Sequence, residues 1–239
     1  MIHWFGDSWT IGDGLARDYG KYSDQLGDSL QSLSYYHPEK FPKFKDFSTS
    51  RPDMGFPALV SKKLGVPFTL HGNRGESVSQ MMCGLKWWLD DHDASGMTAI
   101  FAFPTQSSGR HFYIDNNYKT VQGSWRNVTP LCVDWQKTAG FFDTTVHINL
   151  IYTYCLVNNI SPYFLCTWKP IKLIPEIDMV PPDRWLLPPS TTLAKKTFGE
   201  DTAWAPPPQY CVSKEDTHPN FIGQQKLADT LLPYINEII

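Results

Sequence analysis

The sequence predicts an α/β protein, a three-layer α/β/α sandwich around a mainly parallel sheet. Three observations lead there. Short apolar runs alternate with stretches of helical periodicity, in the order strand, helix repeated four times. The first three apolar runs end in turns or breakers: Gly6-Asp7-Ser8, Gly72-Asn73-Arg74-Gly75 and Pro104. Apolar residues make up 41% of the 239, with 14 Phe, 11 Tyr and 9 Trp, which is ample for a buried core.

Residues 2–5 read as a short buried strand that runs straight into the Gly6-Asp7-Ser8 turn. Residues 15–50 are polar and aromatic with weak periodicity, and read as helix fragments in an irregular insertion. Residues 57–64 suggest a helix with Pro57 near its start, closed by Gly65-Val66-Pro67. Residues 68–70 follow as a second short strand. From 76 to 90, apolar residues fall at Val78, Met81, Met82, Leu85, Trp88 and Leu89, a helical spacing. Residues 98–103 are apolar enough for a central strand. Residues 105–130 are polar and read as loop. Residues 141–158 give the clearest helix, with Phe142, Val146, Leu150, Tyr154 and Val157 as its repeating face. Residues 163–167 read as another strand.

Residues 168–209 hold 9 of the 19 prolines, which argues against a regular element through most of the stretch. Trp168, Trp185, Leu186, Leu187, Phe198 and Trp204 all need cover, so an ordered excursion packed on the domain is expected. Residues 210–212 read as a last short strand. Residues 221–238 read as a closing helix, with Ile222, Leu227, Leu231, Ile235 and Ile238 available for its buried face. There is no internal repeat and no sign of a second compact domain. The expectation is one domain over residues 1–239, with insertions at about 20–50 and 168–209, around a flavodoxin-like sheet. Ligands in such folds bind beyond the carboxyl ends of the strands. Segments 5–8, 70–75, 103–106 and 212–218 all emerge at that edge.

Composition narrows the function. The net charge is −3 and no Lys/Arg stripe is present, which argues against tight nucleic-acid binding and against an anionic membrane surface. The five cysteines match no zinc spacing and include no CxxC; Cys155 and Cys166 look like small buried hydrophobes, which fits a reducing compartment. The N-terminus lacks the pattern of a signal peptide, and no run of 18 apolar residues exists. Cytosolic synthesis is expected, with the final location open. No Gly-rich phosphate loop or dinucleotide motif is found, so no cofactor is expected.

A serine hydroxyl needs a base within hydrogen-bond reach, and the base needs an orienting partner. Ser8 stands just past a buried strand. His218 stands in Asp216-Thr217-His218-Pro219-Asn220, just before the last helix. A carboxylate two or three residues before the histidine can hold one ring nitrogen, and both Glu215 and Asp216 qualify. Alone, a Gly-Asp-Ser turn is common, and either Asp7 or Ser8 can cap a helix. His3, His37, His71, His92, His111 and His147 lack a partner pattern and read as structural or surface residues. Among them His111 follows the third strand at the active edge.

Together the blocks Phe5-Gly6-Asp7-Ser8-Trp9-Thr10-Ile11-Gly12 and Asp216-Thr217-His218-Pro219-Asn220 resemble the SGNH, or GDSL-like, hydrolase family. Asn73-Arg74-Gly75-Glu76-Ser77 resembles a further block of that family more loosely. The resemblance implies Ser8 as nucleophile, His218 as base, and the Ser8 and Gly75 N–H groups as oxyanion donors. It implies a helper acid at Glu215 or, in relatives with the shorter spacing, at Asp216; the Asp-x-His-Pro-Asn form favours Asp216. The third strand departs from the family pattern. The family carries Gly-x-Asn-Asp there, whereas this chain reads Phe103-Pro104-Thr105-Gln106-Ser107-Ser108-Gly109-Arg110. Gln106 has the right donor on a longer arm, and Thr105, Arg110 or a main-chain N–H are the alternatives. Losing one oxyanion donor costs about 2.7–4 kcal/mol in the chemical step.

The expected function is hydrolysis of a carboxylic ester by two-step acyl transfer, with a carbohydrate or glycan O-acetyl ester as the favoured substrate. The alternatives are a short-chain acyl esterase or thioesterase, and a non-catalytic carbohydrate-binding or structural protein that keeps the fold.

Overall fold

The structure is a computed structural model. It describes residues 1–12, 15, 52–72, 78–103, 110–114, 117–121, 140–199, 206–214 and 216–239. In chain order the elements are β1 (Ile2–Gly6), α1 (Phe56–Leu64), β2 (Phe68–Gly72), α2 (Val78–Asp91), β3 (Thr98–Phe103), β4 (Arg110–Ile114), β5 (Asn117–Val121), α3 (Gly140–Val157), β6 (Ser161–Cys166), α4 (Leu193–Phe198) and α5 (Phe221–Asn236). Short 3-10 turns occur at Pro52–Met54, Pro182–Arg184 and Pro208–Tyr210.

Strands β1, β2, β3 and β6 form one parallel sheet in the order β2-β1-β3-β6. The strand that delivers Ser8 is therefore internal, paired on both sides. Side chains alternate across the sheet, as the strand period of two requires. Ile2, Trp4, Ile100, Ala102 and Leu165 enter one core with Phe56, Leu59 and Val60 of α1 and Leu227, Leu231 and Ile235 of α5. Phe5, Ala99, Phe101, Phe103, Phe164 and Cys166 enter the other with Met81 and Leu85 of α2 and Ile148, Ile151 and Cys155 of α3. The result is the expected three-layer α/β/α sandwich.

Local chemistry explains the element ends. In α1, Pro57 lies in the first turn, where its missing N–H has no intrahelical acceptor to lose. Gly65 closes the helix at φ 67°, donating to the Lys62 and Ser61 carbonyls. Lys63 pairs with Asp229 and ties the exposed side of α1 to α5. Helix α5 starts at Asn220, whose side chain caps the Gly223 N–H.

Several expectations need correction. Residues 110–114 and 117–121, within the stretch read as loop, are the antiparallel strands β4 and β5, paired from Arg110↔Val121 to Ile114↔Asn117. Helix α3 turns a different face inward. Thr144, Thr145, Ile148, Ile151 and Cys155 are buried, whereas Phe142, Leu150 and Val157 are exposed. The helix is apolar around most of its circumference, so periodicity alone does not choose a face. One of its two inward threonines, Thr145, is bonded to backbone on both sides. Thr145 Oγ1 donates to the Phe141 carbonyl at 2.8 Å and accepts from Ile174 N–H at 3.1 Å. In α5, Ile222 is exposed, while Leu227, Leu231 and Ile235 are buried as expected.

Residues 210–212 add no strand to the sheet. Cys211 bridges Pro219 in antiparallel fashion, and Val212 N–H donates to the His218 carbonyl at 2.9 Å. The preceding Pro206-Pro207-Pro208 run cannot donate to a ladder, which leaves a tight loop as the way to pair these backbone groups. The proline-rich stretch from 168 is ordered and packed as expected through residue 199. Leu186 N–H donates to Phe164 O and Ala194 N–H to Thr167 O, each at 2.9 Å, and Trp185, Leu186, Leu187, Leu193 and Ala194 are buried. The insertion expected at about 20–50 lies outside the described residues. Among the described residues, no helix is long and apolar enough to cross a membrane.

Candidate active site

The turn after β1 is built by its own sequence. The Asp7 carboxylate accepts from Trp9 N–H at 3.2 Å and from Thr10 Oγ1 at 3.4 Å, and its carbonyl accepts from Ile11 N–H at 3.0 Å. Asp7 thus caps a helical turn, and Ser8 is the first residue inside it. A side chain at Gly6 would overlap Thr10. At Gly72, its register partner on β2, a Cβ would sit 2.5 Å from the Gly6 carbonyl oxygen and 2.9 Å from Ile11 Cγ2. Both glycines let the turn fold back against the strand ends. Gly12 leaves the turn at φ 64°, a left-handed conformation that glycine adopts without strain.

The other half of the site is the loop between Cys211 and Asn220. Ser213 N–H donates to the Asp216 carbonyl, and Asp216 N–H to Ser213 Oγ, both at 3.0 Å. Asn220 clamps the base of the loop. Its Nδ2 donates to the carbonyls of Gln209 at 2.9 Å and Cys211 at 3.0 Å, and its Oδ1 accepts from Gly223 N–H at 2.9 Å. Gly223 lets the first turn of α5 press against the Tyr210 backbone, because a Cβ there would stand 2.8 Å from the Tyr210 oxygen.

These two segments meet. Ser8 Oγ lies 3.0 Å from His218 Nε2, although 210 positions separate the residues. His218 Nδ1 lies 2.6 Å from Asp216 Oδ1, which also accepts from His218 N–H at 3.2 Å. A carboxylate at that distance holds a proton on Nδ1, so the Nε2 lone pair faces the Ser8 hydroxyl. The His218 and Asp216 side chains are 29% and 16% exposed, so the relay borders solvent without being immersed in it. Such an arrangement can accept a proton from Ser8 as its oxygen attacks.

Beside the relay, burial pushes the Asp7 carboxyl up to about 6, against the pull of His218 and the turn N–H groups. Trp168, just past β6, packs edge-on against Trp9 and gives the turn an aromatic flank. Of the sequence candidates, Ser8, His218 and Asp216 are brought together. Gly75, Gln106, Thr105 and Glu215 lie outside the described residues, and Arg110 is placed on β4 by its backbone alone.

Among the remaining histidines, His3 and His71 pair in the core, Nδ1 to Nε2 at 3.2 Å. His92 and His147 bond the carbonyls of Trp88 and Asp143 through Nδ1. Burial pushes the Cys155 and Cys166 thiols up to about 12, in keeping with small buried hydrophobes. Among the described residues, no group of three or more His, Cys, Asp or Glu side chains is disposed to hold a metal ion. Sequence reasoning missed Gln224, which is fully buried and bonds the Trp9 carbonyl. The available signal was its register, since it falls on the buried α5 stripe with Phe221, Leu227, Ala228 and Leu231.

No family model matches the chain, and no curated protein matches it in sequence. Solved structures do match. A putative lipolytic protein of the G-D-S-L family from Desulfitobacterium hafniense DCB-2 aligns with TM-score 0.50 at 11% identity, over 98% of both chains. A member of the lipolytic protein G-D-S-L family from Veillonella parvula DSM 2008 aligns with TM-score 0.43 at 14% identity, over 97% of this chain and 96% of that one. A carbohydrate esterase family 2 enzyme from Corynascus thermopiles aligns with TM-score 0.43 at 12% identity, over 99% of this chain and 65% of that one. At 11% identity the first likeness is one of fold: the two chains share an α/β architecture.

Proposed function

We propose that this chain is a serine ester hydrolase of the SGNH type, acting by two-step acyl transfer. One observation carries the reading: the hydroxyl, imidazole and carboxylate of Ser8, His218 and Asp216 stand in hydrogen-bonding sequence at 3.0 and 2.6 Å. Two distant loops, each fixed by its own backbone bonds, supply the three groups.

In the first step Ser8 Oγ attacks the ester carbonyl carbon while its proton passes to His218 Nε2. Asp216 keeps the ring oriented and stabilises the imidazolium. The tetrahedral oxyanion is held by the Ser8 N–H, by the Gly75 N–H and by a third donor, for which Gln106 is the candidate. His218 then returns the proton to the leaving alcohol, and the C–O bond breaks to leave an acyl-Ser8 ester. In the second step water gives a proton to His218 and its oxygen attacks the acyl carbon. The carboxylic acid departs and Ser8 regains its proton.

Asp216 rather than Glu215 is the orienting acid in this reading, on the strength of its contact with Nδ1. A carbohydrate or glycan O-acetyl ester is the favoured substrate. The small acyl group needs no long apolar groove, and Trp168 beside the nucleophile turn supplies the aromatic surface on which a sugar ring can lie.

The experiment is labelling with a serine-reactive phosphonate, read by mass spectrometry, beside turnover of acetylated sugars and of short and long aryl esters. The folded protein is expected to carry one adduct, on Ser8, and Ser8→Ala is expected to lose turnover while keeping its Tm. A Ser8→Ala variant with near-normal activity refutes the assignment. No adduct on folded wild-type protein favours the non-catalytic binding reading, which the missing asparagine after β3 motivates. Preference for short aryl esters over every acetylated sugar overturns the substrate class alone.

A further inference from the structure

Ser8 and His218 come from opposite ends of the chain, so something must hold the two loops in register to a few tenths of an ångström. Among the described residues, the backbone–backbone bonds of each loop run within it or to its own flanking segment. One side chain reaches across. Gln224 is fully buried in α5, one turn after Asn220, and its amide bonds two other segments at once. Its Nε2 donates to the carbonyl of Trp9, the residue that follows Ser8, at 3.1 Å. Its Oε1 accepts from Phe56 N–H, in the first turn of α1, at 2.9 Å.

We propose that Gln224 is a positioning residue that locks the Ser8 turn to the helix carrying His218 at its N-terminus.

Both bonds have a physical reason to persist. Phe56 N–H is an orphan donor of a helix start. The residue before it, Gly55, provides no side-chain cap. Gln224 provides that cap from another helix. The surroundings are apolar, with Trp9, Phe56, Phe221, Leu227 and Ala228 in the same core. A buried amide there loses its hydration and is retained only when its hydrogen bonds are made. Leucine or methionine would fill the space at less desolvation cost but would remove the Phe56 N–H acceptor and leave the Trp9 carbonyl with the longer bond from Gly12 N–H at 3.3 Å, which lies within the turn and ties it to nothing else. The amide is also rigidly based, because Gln224 N–H donates to Asn220 O at 2.9 Å in the first closed turn of α5. A short, stiff link therefore runs from His218 through Asn220 and Gln224 to Trp9 and Ser8. Gln224 touches neither the hydroxyl nor the imidazole, so its action is on their separation.

The inference rests on Ser8 being the nucleophile, and the test separates the two. Wild type, Gln224→Met and Gln224→Glu are compared for phosphonate labelling rate at Ser8, for kcat and KM on the preferred ester, and for Tm. Glutamate keeps the acceptor for Phe56 N–H but, because burial raises a carboxyl at this position, loses the donor for the Trp9 carbonyl only where it ionises, so the variants are compared at alkaline pH, up to about pH 9. A misplacement of the order of 1 Å at a reacting pair costs about 100-fold. The expected result is a loss of about that size in labelling rate and kcat for both variants, with KM within about twofold of wild type. Wild-type labelling rate and kcat in Gln224→Glu would overturn the proposal and leave Gln224 as a cap for α1. Equal losses in kcat and affinity would overturn it too, by pointing to general loosening. If Gln224→Met does not fold, Gln224→Glu carries the test. Absence of labelling in the wild type instead refutes the nucleophile.

Discussion

Removing the Asn220 side chain tests how the histidine loop is held. In Asn220→Ala three hydrogen bonds disappear: the cap to Gly223 N–H and the two donations to Gln209 and Cys211. The loss of an N-cap costs about 1 kcal/mol. The Cys211 carbonyl belongs to a buried residue and loses a donor it cannot replace from solvent, about 2 kcal/mol. Gln209 is exposed, so water can reach its carbonyl, and that bond contributes about 0.5 kcal/mol. The expected destabilisation is about 3–4 kcal/mol, or roughly 10 °C in Tm for a chain of this size. Asn220→Ser keeps a capping oxygen and drops the amide donors, so it should recover about 1 kcal/mol of the loss. Urea unfolding followed by tryptophan fluorescence and by circular dichroism measures both variants, with the difference read from Cm at constant m. Because His218 stands two residues before Asn220, turnover should fall in both variants at temperatures where both are folded. An Asn220→Ala protein within 1 kcal/mol of wild type would refute the clamp. An Asn220→Ser protein equal to wild type would show that the cap alone matters.

Other outcomes follow from the same geometry. Asp216→Asn is expected to lower kcat on the order of 10³–10⁴-fold at neutral pH, because the amide no longer fixes the proton on His218 Nδ1, while Glu215→Ala stays within about twofold; equal small effects in steady-state assays would mean neither acid orients His218. Asp7 and His3 should tilt the stability curve in opposite directions. The Asp7 carboxyl is raised from 3.8 to about 6 by burial, so the fold binds its proton more tightly and loses about 3 kcal/mol as pH rises through that window. His3 is lowered from 6.5 to about 4, first by burial, so the fold loses about 3 kcal/mol as pH falls through that window. Wild type should therefore be nearly flat between pH 4 and 6; Asp7→Asn should gain stability with rising pH there, and His3→Leu should lose it, as read by urea unfolding across pH. Finally, Ile148→Ala should cost about 2–5 kcal/mol and Leu150→Ala less than about 1 kcal/mol, which checks by chemical denaturation which face of α3 is inward.

Most of the architecture was legible because strands and amphipathic helices announce themselves by period. Residues 99–103 are apolar throughout, and they lie in an internal strand of the sheet. Gly65 ends α1 where a left-handed residue was needed. Legibility failed where period carries no information. Helix α3 has apolar residues on nearly every side, so Phe142 and Leu150 looked as fit for the core as Ile148. Strands β4 and β5 fall in a stretch whose sequence is largely polar, and their pairing is a matter of backbone register. Residues 210–212 have strand-like composition, yet they pair with the segment at 218–219 in a tight loop. At the site, Ser8, His218 and Asp216 were legible as candidates because the two terminal blocks resemble those of a known family, and the three side chains lie together in the fold. Asn220 was noticed only as part of a motif. Gln224 was not noticed, because a single polar residue on a helix is unremarkable until its neighbours are known to be core.

That last contrast bears on how the site forms. Contacts within the Asp7–Ile11 turn and within the Cys211–Asn220 loop are local, so each piece can take shape early with little loop-closure entropy to overcome. The 3.0 Å contact between them spans 210 positions and has no local support. It exists only when β1 is paired inside the sheet and α5 has docked against α1, where Leu227, Leu231 and Ile235 meet Phe56, Leu59 and Val60. The relay should therefore be lost in the same opening that exposes this core, not in a local fluctuation of either loop. Hydrogen exchange at Phe56, whose N–H is bound by Gln224, reports that opening directly. Its protection should match that of Leu227 and Leu231 amides in α5 under native conditions. Exchange at Phe56 much faster than at those positions would mean that the two ends of the chain separate while the core stays closed, and the assembled site would then be a minor excursion of the fold rather than a consequence of it.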